Sequence, residues 1–160
     1  MFRSKLYHRK RSSRPSSSSR LSKPCPLSGR APRQARAGLS LEEFTREVAR
    51  ALDTLPQEIV EKLTNVAVTI EDCPSDEVLA EQGIADPNDL FGLYRGVPRP
   101  WRSVFAPLVE FPDKIEIYYQ PILRSGLRPR EMRELIRRVV VHEVGHHFGM
   151  SDQQLRALGY

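Results

Sequence analysis

No acidic residue precedes Glu42 in this chain of 160 residues. Cysteine is almost as scarce: Cys25 and Cys73 are the only two, they share no C-x-x-C spacing, and so few thiols do not indicate a disulfide scaffold. Long apolar runs are missing as well. None exceeds three residues, as at Val139, Val140 and Val141, which excludes a transmembrane helix. No apolar stretch follows the basic start either, which argues against a secretory signal peptide. The length leaves room for one domain, and with neither span nor signal the expected location is cytoplasmic.

The formal charge of +5 would suggest a nucleic-acid or membrane-surface partner, but it averages two unlike parts. Residues 1–38 hold eleven Lys and Arg and no acid, whereas residues 39–160 hold 14 basic against 20 acidic residues, a net charge of −6. The first part also holds nine serines and four prolines. It cannot bury enough apolar surface to offset its conformational entropy. We therefore expect a disordered Arg/Ser/Pro-rich tail over 1–38 and a folded domain over 39–160. The tail has the composition of an organellar transit peptide, although its prolines make a poor amphipathic helix. Through charge alone it allows weak, salt-sensitive contact with nucleic acid or acidic lipid.

Ser40-Leu41-Glu42-Glu43 is a capping box. Leu41, Phe44, Val48, Leu52 and Leu55 follow at three- and four-residue steps, so a helix should begin here with that stripe inward. Pro56 suits the first turn of a second short helix reaching Leu63, with Ile59, Val60 and Leu63 inward. Val66 to Glu71 reads as a strand. Residues 72–89, with Pro74, Gly83 and Pro87, read as a surface connection with one helical turn around Glu77 to Glu81. Leu90 to Val97 reads as a strand in which Gly92 and Gly96 mark a bulge or a close approach of another backbone. Residues 102–106 suit a short strand, and 114–118 alternate well enough for a better one. Pro129, with Glu131 near the positive end of the dipole, opens the helix that carries the chemistry.

Leu135, Ile136, Val139, Val140 and Val144 give that helix a broad apolar face, so its middle should be buried. Into it falls the run H-E-V-G-H-H-F-G-M-S-D, from His142 to Asp152. A four-residue step turns about 400° and rises about 6 Å, so His142 and His146 leave one face a turn apart and can bind one metal. Zinc accepts such nitrogens at about 2.0–2.1 Å. Glu143, about 100° further round, sits beside the metal and suits a general base toward metal-activated water. Without a metal, three buried imidazoles and a carboxylate would each need another partner.

A catalytic zinc keeps one position open and needs a third protein ligand, for which Asp152 is the choice. Gly149 can take positive φ, end the helix and turn the chain back under the site. Ser151 and Gln154 form another capping box, so Asp152 also suits the first turn of a further helix, and both roles can hold. His147 lies about 100° off the ligand face, and its reading stays divided between support of the ligands and plain packing. Gly145 costs roughly 1 kcal/mol of helix stability relative to Ala, which points to a close packing contact. Tyr94, Arg95, Tyr118 and Tyr119 have the chemistry to polarise a carbonyl, but such residues are more often ordinary sheet residues.

These residues carry a resemblance. H-E-x-G-H-H-F-G-x-S-D, behind the Arg-rich Val-Val-Val helix, resembles the small bacterial zincin-like metallopeptidases of the minimal-zincin type, common in actinobacteria. In order, Leu41–Phe44, Asn65–Val68, Gly92–Pro98, Ile115–Tyr118 and Pro121–Leu123 are similar to that family's other recurring segments. The resemblance spans about 39–160 and leaves the tail outside. It implies an α+β minimal zincin fold, with a small mixed sheet packed on an active-site helix. It also implies one zinc ion held by His142, His146 and Asp152, with Glu143 as catalytic base. The extended motif is similar to that of metzincins too, whose last ligand is usually His. Eight residues follow Asp152, so no Met-turn is expected. In known zincins an edge strand binds extended peptide by strand addition, and Phe91 to Val97 is the segment expected to do so here.

The leading expectation is thus a zinc-dependent metallopeptidase acting on a peptide or protein substrate. Two other classes compete with it. One is a zinc-stabilised interaction module without turnover. The other is a metal-dependent ribonuclease, which the basic tail favours and the acidic body opposes.

Overall fold

The computed structural model describes residues 38–101 and 112–160. The expected tail, save Gly38, and the strand expected at 102–106 lie outside the described residues. Helix α1 spans Leu41–Asp53 and opens on the capping box: Ser40 Oγ accepts from the Glu43 N–H at 3.2 Å, and the Glu43 carboxylate accepts from the Ser40 N–H at 2.8 Å. Its buried face is Phe44, Val48 and Ala51. Leu41, expected inward, is 55% exposed, so the packed stripe starts one turn later. Helix α2 is the single turn Gln57–Val60 rather than a helix to Leu63. With so short an element only Ile59, and Leu63 in the turn after it, reach the core, and Val60 stays exposed.

Strands β1 (Val66–Glu71), β2 (Gly92–Arg95) and β3 (Asp113–Tyr118) form one sheet in the order β1-β3-β2. β1 runs parallel to β3 and β2 antiparallel, with Gly92 opposite Ile117 and Tyr94 opposite Ile115. β2 is shorter than the expected Leu90 to Val97 and forms a sheet edge.

Alternation along β3 sends Ile115 and Ile117 to one face and Glu116 and Tyr118 to the other. The first face is covered by α5 (Pro129–His147), on which α1 packs in turn. Ile115, Ile117, Phe44, Val48, Ile136, Val139 and Val140 meet there in the main core. Burying each large aliphatic contributes about 1.5–3 kcal/mol, which outweighs the few tenths that each valine costs in helix propensity. Arg133 of α5 reaches Glu47 of α1 at 3.3 Å along the rim of this contact.

The opposite face overturns one expectation. Residues 72–89 do not merely skirt the surface: α3 (Asp76–Gln82) is a helix of two turns, capped by Ser75 and ended by Gly83 at φ 64°. Its Val78 and Leu79 join Ile84, Leu90, Leu93 and Tyr118 in a second core. The many acids around this apolar pair hide it from a reading of average polarity. The turn α4 (Tyr119–Leu123), for which no expectation existed, follows β3 directly. Its Tyr119 hydroxyl donates to the Leu39 carbonyl at 2.9 Å and its ring meets Phe44 edge-on, tying the start of α1 to the sheet.

Candidate metal centre

Helix α5 starts with Pro129 in its first turn, and Arg128 donates its N–H to the Glu131 carboxylate at 2.9 Å. It ends in a turn that the sequence dictates. Gly149, at φ 82°, donates to the His146 carbonyl at 2.9 Å, and Met150 donates to the Gly145 carbonyl at 3.0 Å. This pair of bonds closes a Schellman motif and reverses the chain. Ser151 then caps α6 (Asp152–Ala157), donating its N–H to Gln154 at 2.8 Å. Gly145 permits the return: a Cβ there would collide with the Leu155 side chain of α6.

The reversal carries Asp152 back to the two histidines. Asp152 Oδ1 lies 3.3 Å from His142 Nε2 and 3.4 Å from His146 Nε2, and the two Nε2 atoms are 3.0 Å apart. Ligands of a tetrahedral zinc at 2.0–2.1 Å stand about 3.4 Å from one another, so this donor set fits a small divalent cation. The protonation states agree. Burial, and then the neighbouring His146, push His142 down to about 4 against the pull of Asp152. Burial lowers His146 too, again opposed by Asp152. Both imidazoles are therefore neutral at neutral pH, the form that ligates. His146 Nδ1 faces the Met150 carbonyl at 2.9 Å, which makes Nδ1–H the donor and leaves the Nε2 lone pair toward the cluster. The two Nε2 atoms and a carboxylate oxygen converge with the imidazoles buried and Asp152 partly exposed.

Glu143 is fully buried and turns toward β2. Its Oε2 accepts from the Tyr94 main-chain N–H at 2.8 Å. Gly92 supplies the room: a Cβ there would lie 3.0 Å from Glu143 Cγ and 3.2 Å from Oε1. This is the close approach that glycine in this strand leads one to expect.

A family model described as zincin-like metallopeptidase matches residues 63–160. The chain belongs to that family. Among curated proteins none matches this sequence closely enough to count as a relative. The family implies a metal, usually zinc, and a peptide or protein substrate. The match begins after α1 and α2, although α1 packs directly on the motif helix of this zincin-like chain.

The remaining candidates separate. His147 points away from the cluster: its Nδ1 lies 3.0 Å from Asp113 Oδ2 and its Nε2 3.4 Å from the Lys62 carbonyl, so it joins α5 to the start of β3. Tyr118 lies on the far face, its hydroxyl donating to Glu116 at 2.6 Å, and burial with that bond drives its pKa upward. Arg95 is exposed, 3.9 Å from Glu81, and Tyr119 serves α1. Of these four tyrosine and arginine candidates only Tyr94 reaches the zincin motif. Asp113 was not foreseen at all. Its carboxylate accepts from the Tyr94 hydroxyl at 2.8 Å, and a Cβ on Gly96 would collide with it. The signal was present in Gly-Leu-Tyr-Arg-Gly: residues at steps of two share a strand face, and here they face two carboxylates.

Proposed function

We propose that this chain is a zinc-dependent peptidase in which His142, His146 and Asp152 hold the ion and Glu143 is the general base. The observation that carries this reading is the convergence of two buried, neutral imidazoles from one helix and one carboxylate from the first residue of the next, at 3.0–3.4 Å from one another. Zinc in such a site supplies Lewis acidity toward a scissile carbonyl and lowers the pKa of water.

Glu143 is one residue from His142 and anchored at Oε2 by the Tyr94 N–H. It takes the proton of the attacking water and returns it to the leaving amine. An anchored carboxylate loses little freedom when it does so. The edge strand β2 lies alongside, and an extended substrate adds to its outward main-chain groups other than the Tyr94 N–H, which Glu143 holds. A peptide or protein is therefore the proposed substrate, a cytoplasmic location the proposed compartment, and the basic tail a separate element with at most weak contact to nucleic acid.

The test measures zinc by mass spectrometry and cleavage across a proteome-derived peptide library, with and without chelator. Stoichiometric zinc and chelator-sensitive cleavage abolished by Glu143→Gln are expected. Zinc with no cleavage would leave an interaction module, and cleavage indifferent to Glu143→Gln would remove that residue from the mechanism.

A further inference from the structure

Glu143 and His147 are one turn apart on α5, so both face β2. Tyr94 touches both. Its main-chain N–H donates to Glu143, and its ring meets the His147 imidazole edge-on at 5.6 Å. The N–H is available because of register. Tyr118 N–H bonds the Phe91 carbonyl, so residues 91, 93 and 95 turn their backbone groups to β3 while Gly92 and Tyr94 turn theirs outward.

An outward N–H on a short edge strand does not fix its own height above a helix. The side chain of Tyr94 does. Its hydroxyl donates to Asp113 Oδ2 at 2.8 Å, the same oxygen that His147 Nδ1 approaches at 3.0 Å. Asp113 begins β3 and is itself tied to β1, its N–H donating to the Asn65 carbonyl at 3.0 Å. Gly96 lacks the side chain that would displace this carboxylate. One buried carboxylate thus joins β2, β3 and α5 at the end of the sheet nearest the motif.

We propose that Asp113 and His147 are positioning residues for Glu143, acting through Tyr94, whose anchored side chain sets where its N–H meets the Glu143 carboxylate. The inference rests on the reading of Glu143 as general base, but its first test does not need turnover. Hydrogen exchange at the Tyr94 amide is compared with the ladder amides of Leu93 and Arg95, in the unaltered protein, Tyr94→Phe and Gly96→Ala. Phenylalanine keeps ring and backbone, and alanine at 96 presses on the bonded pair, the Asp113 carboxylate and the Tyr94 hydroxyl, without deleting a polar group.

In both variants the Tyr94 amide is expected to exchange at least about tenfold faster, the scale of one hydrogen bond to a charged group. Leu93 and Arg95 are expected to be unchanged, and zinc content to stay stoichiometric. On any peptide the protein cleaves, kcat is expected to fall roughly tenfold with KM unchanged, since an interaction made in the transition state is weakened. Should Tyr94→Phe fail to fold, Gly96→Ala is read the same way. Unaltered Tyr94 exchange, or an equal loss of protection at all three amides, would overturn the proposal. Hydrolysis unaffected by Glu143→Gln would instead overturn the function while leaving the exchange result standing.

Discussion

Gly92 and Glu143 share a space that has no room for one more carbon: a Cβ built on Gly92 lies 2.8 Å from Val139 Cγ1 and 3.0 Å from Glu143 Cγ. In an ordinary strand, replacing glycine by alanine stabilises by roughly 0.5–1 kcal/mol. Gly92→Ala is expected to do the reverse here, costing about 1–3 kcal/mol by overpacking. Urea unfolding gives the sign, and a stabilised variant would mean that the strand and helix do not approach so closely. Zinc content should persist, because no ligand is touched.

Gly145 makes the same argument on the other side of α5. A glycine-to-alanine change in an open helix interior gains about 1 kcal/mol, but this one drives a methyl group into Leu155. Since α6 carries both Leu155 and Asp152, Gly145→Ala is expected to lower stability and weaken zinc binding together. Competition against a chelator of known affinity measures the second effect. A stabilised variant with unchanged affinity would show that α6 yields without moving Asp152.

Local signals proved sufficient wherever one residue's own chemistry decides the structure. The capping boxes at Ser40 and Ser151, the first-turn Pro129 and the chain reversal at Gly149 all follow from backbone groups needing partners within a few residues. The convergence of His142, His146 and Asp152 was legible for the same reason, as all three lie within eleven residues of chain. The features that are not legible locally depend on distant packing. Asp113 meets Tyr94 and His147 across 19 and 34 residues, and the spacing of Gly92 and Gly96 marks a close approach there without naming its partner. Helix α3 is likewise hidden from a local reading, because its apolar pair, Val78 and Leu79, acquires meaning only against Leu93 and Tyr118.

Acid should destabilise the metal-free protein through His142. Its pKa in the folded state is lowered, by burial first, to about 4, while an unfolded histidine titrates near 6.5. Between those values the unfolded chain binds more protons, so stability rises with pH across the window and is lost on acidification. The span corresponds to about 3 kcal/mol. Unfolding in urea at a series of pH values from 7 to 4, with chelator present, measures the slope. It should flatten in His142→Gln; an equal slope in that variant would assign the acid sensitivity to other groups.

Asp152 offers the cleanest separation of fold from metal. The start of α6 is secured by its neighbours, Ser151 N–H donating to Gln154 at 2.8 Å and Ser151 Oγ accepting from the Gln154 N–H at 3.4 Å. To helix α6 Asp152 adds a negative charge in the first turn, about 0.3–1 kcal/mol for a partly exposed group, beside its contacts to the two neutral imidazoles. Asp152→Asn is therefore expected to leave the metal-free protein folded, with a melting temperature within a few degrees of the original. The unaltered protein gains stability as RT ln(1 + [Zn]/Kd), about 2.7 kcal/mol at a hundredfold excess over Kd. Most of that gain should vanish in Asp152→Asn, because a neutral amide replaces the only anionic donor among the three. Thermal melts across a zinc titration give both quantities in one experiment. A zinc-dependent rise that survives the substitution would place the third donor elsewhere.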